Sequence, residues 1–416
     1  MEIRPFAGYR YNSQVVGSVS RVVSPPYDVY DAAMQAAAYK KSPHHYVRLI
    51  LNRESDPHKA AASTLEAWVK DQVLVKEPQP AIYPYVQYYT DPAGSQCTRR
   101  GFFALLRLTP TDAGPVHAHE RTLPKPLEER LNLMRVTRAD FGPIFVIFPD
   151  DGGEFLSLLE QATSGDPEIE TDDTDGNLHR LWVAKDTKWQ NRLCELLRSV
   201  EGVIADGHHR YSAALRYAEE RRAAGAGPDD SSQFKLVALF PGTADNLTVF
   251  PIHRIVENWP DSPDVAKYFN TSQMSLWRPE EVIKAVANTP QTLGYYAQGQ
   301  TPEMWAYKQT APIAWEGTPS DAYKRLPTAM FEAAVLRGIL GMTTEQIAAK
   351  EGLQFTKQLG EAKRMVWNKK ARAFFLPPTP VDAIFATAQA GLLMPQKSTF
   401  FYPKLLSGLV THLHGR

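Results

Sequence analysis

A chain of 416 residues, 43% hydrophobic and 22% charged, has ample material for a core and a length that suits two or three domains. Lys+Arg and Asp+Glu both number 46, so the formal net charge is zero, which argues against a basic nucleic-acid coat and makes nucleic acid an unexpected partner. The two cysteines, Cys97 and Cys194, lie far apart with no CxxC spacing, and no apolar run approaches the ~18 residues of a membrane span. With no apolar leader after Met1, the expectation is a soluble cytoplasmic protein with no membrane partner.

The first third reads as mixed α/β. Tyr46–Leu51 is expected to be a strand, and Pro57–Val75 a helix with Ala60, Leu65, Trp68 and Val69 at helical spacing. Ala81–Tyr89 and Gly101–Leu108 are strands that the turn signal Asp91–Gly94 can join as a hairpin. In the middle third, Leu127–Val136 reads as a helix and Phe141–Phe148 as a short buried strand. Gly165–Gly176 reads as a turn-rich surface segment. Val200–Ala205 is a strand running into Asp206-Gly207-His208-His209-Arg210, and a helix follows from Tyr211 to Ala224. Phe234–Phe240 and Leu247–Ile252 are further strands. In the last third, Ser262–Phe269, Pro279–Ala287, Ala329–Leu340 and Val381–Ala388 are expected helices, with Ser262-Pro263 as the start signal of the first; Thr292–Tyr296, Met304–Tyr307 and Phe374–Leu376 are expected strands. Composition shifts place boundaries near 115 and 260, giving segments 1–115, 116–260 and 261–416.

The chemistry concentrates at Asp206–Arg210. A strand runs into a glycine and a helix begins at once, so backbone N–H groups and the positive end of the helix dipole meet there and favour an anion. Gly207 lets the backbone approach a ligand, and Arg210 can fork two hydrogen bonds onto phosphate. His208 and His209 add tunable donors, and Asp206 can orient His209 or hold Mg²⁺. The bland alternative is that these side chains satisfy buried polar groups. His117-Ala118-His119-Glu120-Arg121 pairs a carboxylate with histidines, and gains meaning only if it meets the first loop in space. Lys397-Ser398-Thr399 and Lys404, in the run Met394–Lys404, can hold a phosphate or carboxylate, although no Gly-rich approach makes the run a P-loop. Ser24–Asp28 reads first as a proline-fixed turn. Arg48 needs an anionic partner if buried, and His412 and His414 are expected to be frayed and idle.

These residues also carry a resemblance. Ser24–Val29, His119–Thr122, Arg135–Asp140, Ile204–Tyr211 and Met394–Val410 resemble the motifs of the domain-of-unknown-function family ten-fifteen, over nearly the full length. The strand–Asp-Gly-His-His-Arg–helix unit is in turn similar to that of the free-serine kinases built on the ParB/sulfiredoxin-like fold. That resemblance implies an α+β fold with a ParB/sulfiredoxin-like core over 116–260, an insertion near 150–200, and additional N- and C-terminal α/β segments. It further implies that the loop binds the donor's phosphates and that Glu120 is the base. The chain departs from the family at Thr356-Lys357-Gln358, at Leu326-Pro327-Thr328 and at Ser212.

The leading expectation is a phosphotransferase that moves a phosphoryl group from ATP, ADP or pyrophosphate to a small hydroxylated metabolite, free L-serine first, with Mg²⁺ inferred from the reaction class. Glu120, His209 and Asp206 are the expected catalytic residues, with Asp206 also the metal ligand. Gly207, His208, His209, Arg210 and Lys397 would hold phosphate; Arg48, Lys404, Ser398 and Thr399 would hold the acceptor. One alternative is a metal-dependent hydrolase with His117, His119, His208 and His209 as ligands. The other is a nucleotide-responsive ParB-like binding module, for which no helix-turn-helix with a basic recognition helix is visible.

Overall fold

The computed structural model describes residues 1–415 other than 92, 93, 121, 123, 244, 275–278, 288, 290, 314, 316, 317 and 370; Arg121, part of the histidine-bearing segment, therefore lies outside the described residues. The fold is α+β and divides into two compact units: Met1–Thr248 with Pro403–Arg416, and Val249–Tyr402. This division departs from the expected segments 1–115, 116–260 and 261–416. The boundary near 115 falls inside one continuous sheet, and the chain returns to the first unit at Pro403. Among the described residues, no helix is long and apolar enough to cross a membrane.

Nine strands build the sheet of the first unit: β1 (Ile3–Arg4), β2 (Tyr83–Thr90), β3 (Gln96–Arg107), β4 (Val116–His117), β5 (Ile144–Phe148), β6 (Ile169–Asp172), β7 (Leu178–Leu181), β8 (Gly202–Asp206) and β9 (Phe234–Pro241). Their order is β4-β8-β5-β9-β3-β2-β7-β6, with β1 also paired to β3. β4 runs parallel to β8, and β5 runs parallel to β9; the other neighbours are antiparallel. β9 is buried at every position, as a central strand covered on both faces must be. β2 and β3 form the expected hairpin, with Thr90 opposite Gln96 and the Asp91 carboxylate accepting from the Ser95 N–H at 2.8 Å. The segment expected to be turn-rich, Gly165–Gly176, contains β6, whose alternating burial marks it as an edge strand with one wet face.

The core on one face of this sheet gathers Phe102, Ile144, Phe148, Leu193, Ile204 and Val237. Helices of the same unit include α1 (Pro57–Lys70), α2 (Pro124–Thr137) and α3 (His208–Ala223). α2 and α3 pack through Leu131, Met134, Ala213, Ala214 and Tyr217, where the small alanines allow close approach. α3 ends where Gly225 takes φ +94° and the Ala226 N–H reaches back to the Arg221 carbonyl, a glycine-closed helix end.

Two expectations fail in this unit. Tyr46–Leu51 is not a strand: Val47–Ile50 forms a single helical turn, with Val47, Leu49 and Ile50 all buried. A short continuous apolar run carries no periodicity that separates the two forms. His412 and His414 are not frayed. Both are buried, at 6% and 2% exposure, and His412–Leu413 pairs antiparallel with Ala139–Asp140. The returning segment is pinned further by the pairings Ser24–Ser407 and Tyr9–Thr411.

The second unit is a six-stranded antiparallel sheet of β10 (His253–Val256), β11 (Phe269–Gln273), β12 (Thr292–Ala297), β13 (Glu303–Tyr307), β14 (Leu353–Thr356) and β15 (Arg372–Phe375), in the order β11-β13-β12-β15-β10-β14. One core holds Ile255, Val282, Val366 and Phe375; the other holds Tyr295, Trp305, Phe331 and Phe374. Ser262–Phe269 yields one 3₁₀ turn, Val265–Lys267, before β11 begins, because Phe269–Gln273 pairs with β13 and the sheet claims the chain. Leu247–Ile252 shortens to Thr248–Phe250. The expected helix at Ala329–Leu340 is present, but its second half, Glu332–Ile339, widens to a π-helix before Gly341.

Candidate active site

The parallel pairing of β4 with β8 sets the geometry. Gly202 lies opposite Val116 and Val203 opposite His117. Because the two strands run parallel, the loops that follow them, His119-Glu120 and Asp206–Arg210, leave the same end of the sheet. A bulge between Ile204 and Asp206 ends regular pairing with β5 as the strand turns into the loop. Gly207 then caps α3 at φ +98°, a conformation that a side chain resists.

His119 and His208 hold the two loops together. Their rings meet edge to face at 4.6 Å, and the His119 N–H donates to His208 Nε2 at 3.4 Å. Burial, with His119 adding to it, pushes the His208 imidazole well below its ordinary pKa, and burial likewise lowers His119. Both rings are therefore neutral at pH 7. His208 packs inward here, whereas His209, next in sequence, is only partly buried.

Asp206 is ionised. Burial opposes its charge, but Lys404 and Arg210 outweigh burial and hold its carboxyl well below the usual carboxylate range. Lys404 Nζ donates to Asp206 Oδ2 at 2.8 Å, and Arg210 Nη2 stands 3.7 Å from Oδ1. Oxygen donors suit Mg²⁺. With one Asp206 oxygen carrying an ammonium, however, the residues as they stand do not fit a resident ion.

Lys404 is placed from behind. Arg99, fully buried between the rings of Phe145 and Phe240, donates to the Pro403 carbonyl and to Gln87, and Gln87 Nε2 donates to the Lys404 carbonyl at 3.2 Å. Burial lowers Arg99 to about 10, so it stays charged at pH 7. Arg210 curls back beneath its own loop. Its Nη1 donates to the Pro143 carbonyl, and a Cβ on either Gly207 or Gly142 would come within 3.0 Å of the guanidinium.

Behind Arg210 lies a second charged group. Lys235 Nζ donates to Asp140 Oδ1 at 2.5 Å and the Leu236 N–H donates to Oδ2 at 3.0 Å, while His412 Nδ1 is 3.3 Å from Oδ2 and His414 Nε2 is 3.7 Å from Oδ1. Burial opposes the Asp140 charge, but Lys235 and the two histidines hold it ionised. Asp140, His412 and His414 have the reach to ligate a metal. The ammonium on the same carboxylate makes the cluster an ion network instead. Between Arg210 and Lys235 is a cavity of about 40 Å³, also bordered by Tyr27, Arg130, Gly142 and Ser407.

Arg48 stacks on Tyr39 at 4.4 Å and donates to the Tyr39 carbonyl at 3.1 Å. Lys397, Ser398 and Thr399 belong to the second unit. There Lys397 has φ +58° and its carbonyl accepts from Arg254, while Ser398 Oγ is bonded to Thr328 at 2.8 Å and to the Pro395 carbonyl at 2.6 Å. The expected metal set of His117, His119, His208 and His209 is not among the groups of described residues close enough to share an ion: His117 faces Glu201 at 3.2 Å, and His208 Nε2 accepts from the His119 backbone N–H. Sequence reading missed Arg99, Arg130, Asp140 and Lys235. Lys235 did carry a signal, as a lone ammonium inside the otherwise apolar run Phe234–Phe240.

The sequence profile of the family described as "Protein of unknown function (DUF1015)" matches residues 3–329. Comparison with curated proteins finds no match. Solved structures with a similar course include a free serine kinase in complex with AMP, at 11% identity and TM-score 0.36 over 72% of this chain and 86% of that one. Another is SbnI with C-terminal truncation from Staphylococcus aureus, at 12% and 0.37 over 74% and 86%. A third is a conserved hypothetical protein from Pyrococcus furiosus, at 11% and 0.35 over 73% and 92%. Likenesses this distant carry no function across.

Proposed function

The chain belongs to the DUF1015 family, and from the geometry of its site we propose that it is a phosphotransferase acting on a small hydroxylated metabolite, with free L-serine the first candidate. The observation that carries this reading is the meeting of the His119-Glu120 loop with Asp206–Arg210 at one end of the sheet, through the β4–β8 register and the His119–His208 contact. In this reading the Glu120 carboxylate serves a glycine-capped helix start next to Lys404 and Arg210, which is what transfer of a phosphoryl group to a hydroxyl needs.

In this reading the Gly207 loop, the first-turn N–H groups of α3 and His209 hold the donor's phosphates, and Lys404 and Arg210 neutralise the charge that develops in transfer. Glu120 accepts the proton of the acceptor hydroxyl. The hydroxyl oxygen forms the new bond to the terminal phosphorus, and the bond to the leaving phosphate breaks with its electron pair staying on that phosphate. Asp206 keeps Lys404 and Arg210 in place. A ParB/sulfiredoxin-like core for the region around β4, β8 and α3 belongs to the same proposal.

The test is to incubate the protein with Mg²⁺, L-serine and, in turn, ATP, ADP and pyrophosphate, and to follow phosphoserine by phosphorus NMR. Product with one donor supports the reading. Release of phosphate from every donor without any phosphoserine, at the same rate with and without L-serine, overturns it.

A further inference from the structure

The cavity behind Arg210 has a lining that implies a ligand. Arg130, Arg210 and Lys235 border it, and no carboxylate is among its described lining residues; Glu129, Asp206 and Asp140 pair with these cations from outside it. A lining of this kind favours an anion.

One of these cations, Arg130, has a donor to spare. It is 7% exposed and fixed on three sides: its guanidinium lies over the Tyr27 ring at 4.2 Å, Nη1 donates to the Ile50 carbonyl at 3.0 Å, and Nη2 donates to Glu129 at 2.8 Å. Its buried Nε has no acceptor. A donor left so costs about 1–3 kcal/mol unless something accepts from it. Gly142 keeps the facing wall low, and Phe141 and Met134 make the floor apolar.

Size allows a small ligand group. The cavity's volume of about 40 Å³ is well above the roughly 10–15 Å³ in which one water fits, so it admits a small anionic group such as a carboxylate. We propose that this pocket takes the carboxylate of the acceptor, held by Arg130 and Arg210, so that the acceptor is a small hydroxy-carboxylate. Arg210 borders both this pocket and the Gly207 loop. One guanidinium therefore sits between the acceptor's carboxylate and the donor's phosphates. The assignment of the pocket to an acceptor's carboxylate rests on the phosphotransferase reading; the pocket's preference for a small anion does not.

The experiment is calorimetric titration of the full chain, without any donor, with L-serine, L-threonine and D-glycerate, and with ethanolamine as L-serine lacking its carboxylate. At least one hydroxy-carboxylate is expected to bind saturably, with ethanolamine weaker by tenfold or more. Arg130→Met is expected to weaken that binding at least tenfold. Gly142→Ala, which narrows the cavity beside Arg210, should do the same if Arg130→Met fails to fold. Absence of binding by all three carboxylates, equal binding of ethanolamine, or undiminished binding by both folded variants overturns the proposal. So does inorganic phosphate displacing the carboxylate and losing its own affinity in Arg130→Met, since the pocket would then belong to the donor. Carboxylate binding that persists while no donor yields a phosphorylated product leaves this pocket standing and removes only the phosphoryl transfer.

Discussion

Asp206 and Asp140 are two carboxylates on which buried charges of the first unit depend. Replacing Lys404 with Met leaves Asp206 with Arg210 alone, at 3.7 Å. In the proposed reaction this should lower kcat at least tenfold with a smaller change in stability, and steady-state kinetics beside a thermal melt would separate the two; unchanged kcat in a folded variant would remove Lys404 from the site. Asp140→Asn strands the ammonium of Lys235, which is 3% exposed, and should cost about 3–5 kcal/mol, the usual penalty for leaving a buried charge unpaired. Asp140→Asn with Lys235→Met should recover part of that loss in urea unfolding. A double variant no more stable than Asp140→Asn would show that the pair is not a coupled unit. At this scale, sequence reading found what was local. The Asp206–Arg210 loop is contiguous, and its place at a strand-to-helix corner could be read directly. Arg130, Asp140, Lys235 and Ser407 come from separate segments and meet only through tertiary packing, so no window of sequence shows them together.

Elements explain why the loop has its shape. β8 ends in a bulge, Gly207 turns the chain at φ +98°, and α3 starts with Arg210 folded beneath that glycine. Gly207→Ala imposes a strained backbone and sets a Cβ 3.0 Å from Arg210 Nη2, so it should cost about 1–3 kcal/mol and displace the guanidinium. Chemical denaturation together with phosphate-donor affinity tests this: a full-stability variant with native affinity would contradict the geometry. The same scale shows where periodicity failed. β9, α2 and α3 announce themselves by long, unambiguous patterns. Val47–Ile50 is too short to show a period, and Phe269–Gln273 is polar enough that only its pairing with β13 makes it a strand.

For the molecule as a whole, buried titratable groups dictate a response to acid. His208, His119, His179 and His412 are all lowered by burial, and His45 and His253 fall to about 4 and about 3. A histidine that is harder to protonate in the native state than in the unfolded chain contributes stability that is complete above its unfolded pKa of about 6.5 and is lost as pH falls towards the native value. Asp140 and Asp206, both depressed, add stability present above about 3.8 and lost below it. Urea midpoints measured from pH 8 down should therefore hold steady to about pH 6.5 and then decline, by about 1.4 kcal/mol per pH unit for each such histidine between its two pKa values. A flat profile from pH 8 to pH 5 would show that these rings are not neutral and buried. Mixed α/β elements were legible from pattern, and the α+β class from the resemblance. The division into units was not, because a sheet drawn from both sides of residue 115 and closed by Pro403–Arg416 is a matter of long-range pairing.

That discontinuity places the site in time as well as in space. A ribosome adding roughly 5–20 residues per second needs on the order of ten seconds to pass from Thr248 to Pro403. Over that interval the nascent chain carries Asp206 without Lys404, and Asp140 without His412 and His414. The site thus waits on a segment made long after the rest of its unit.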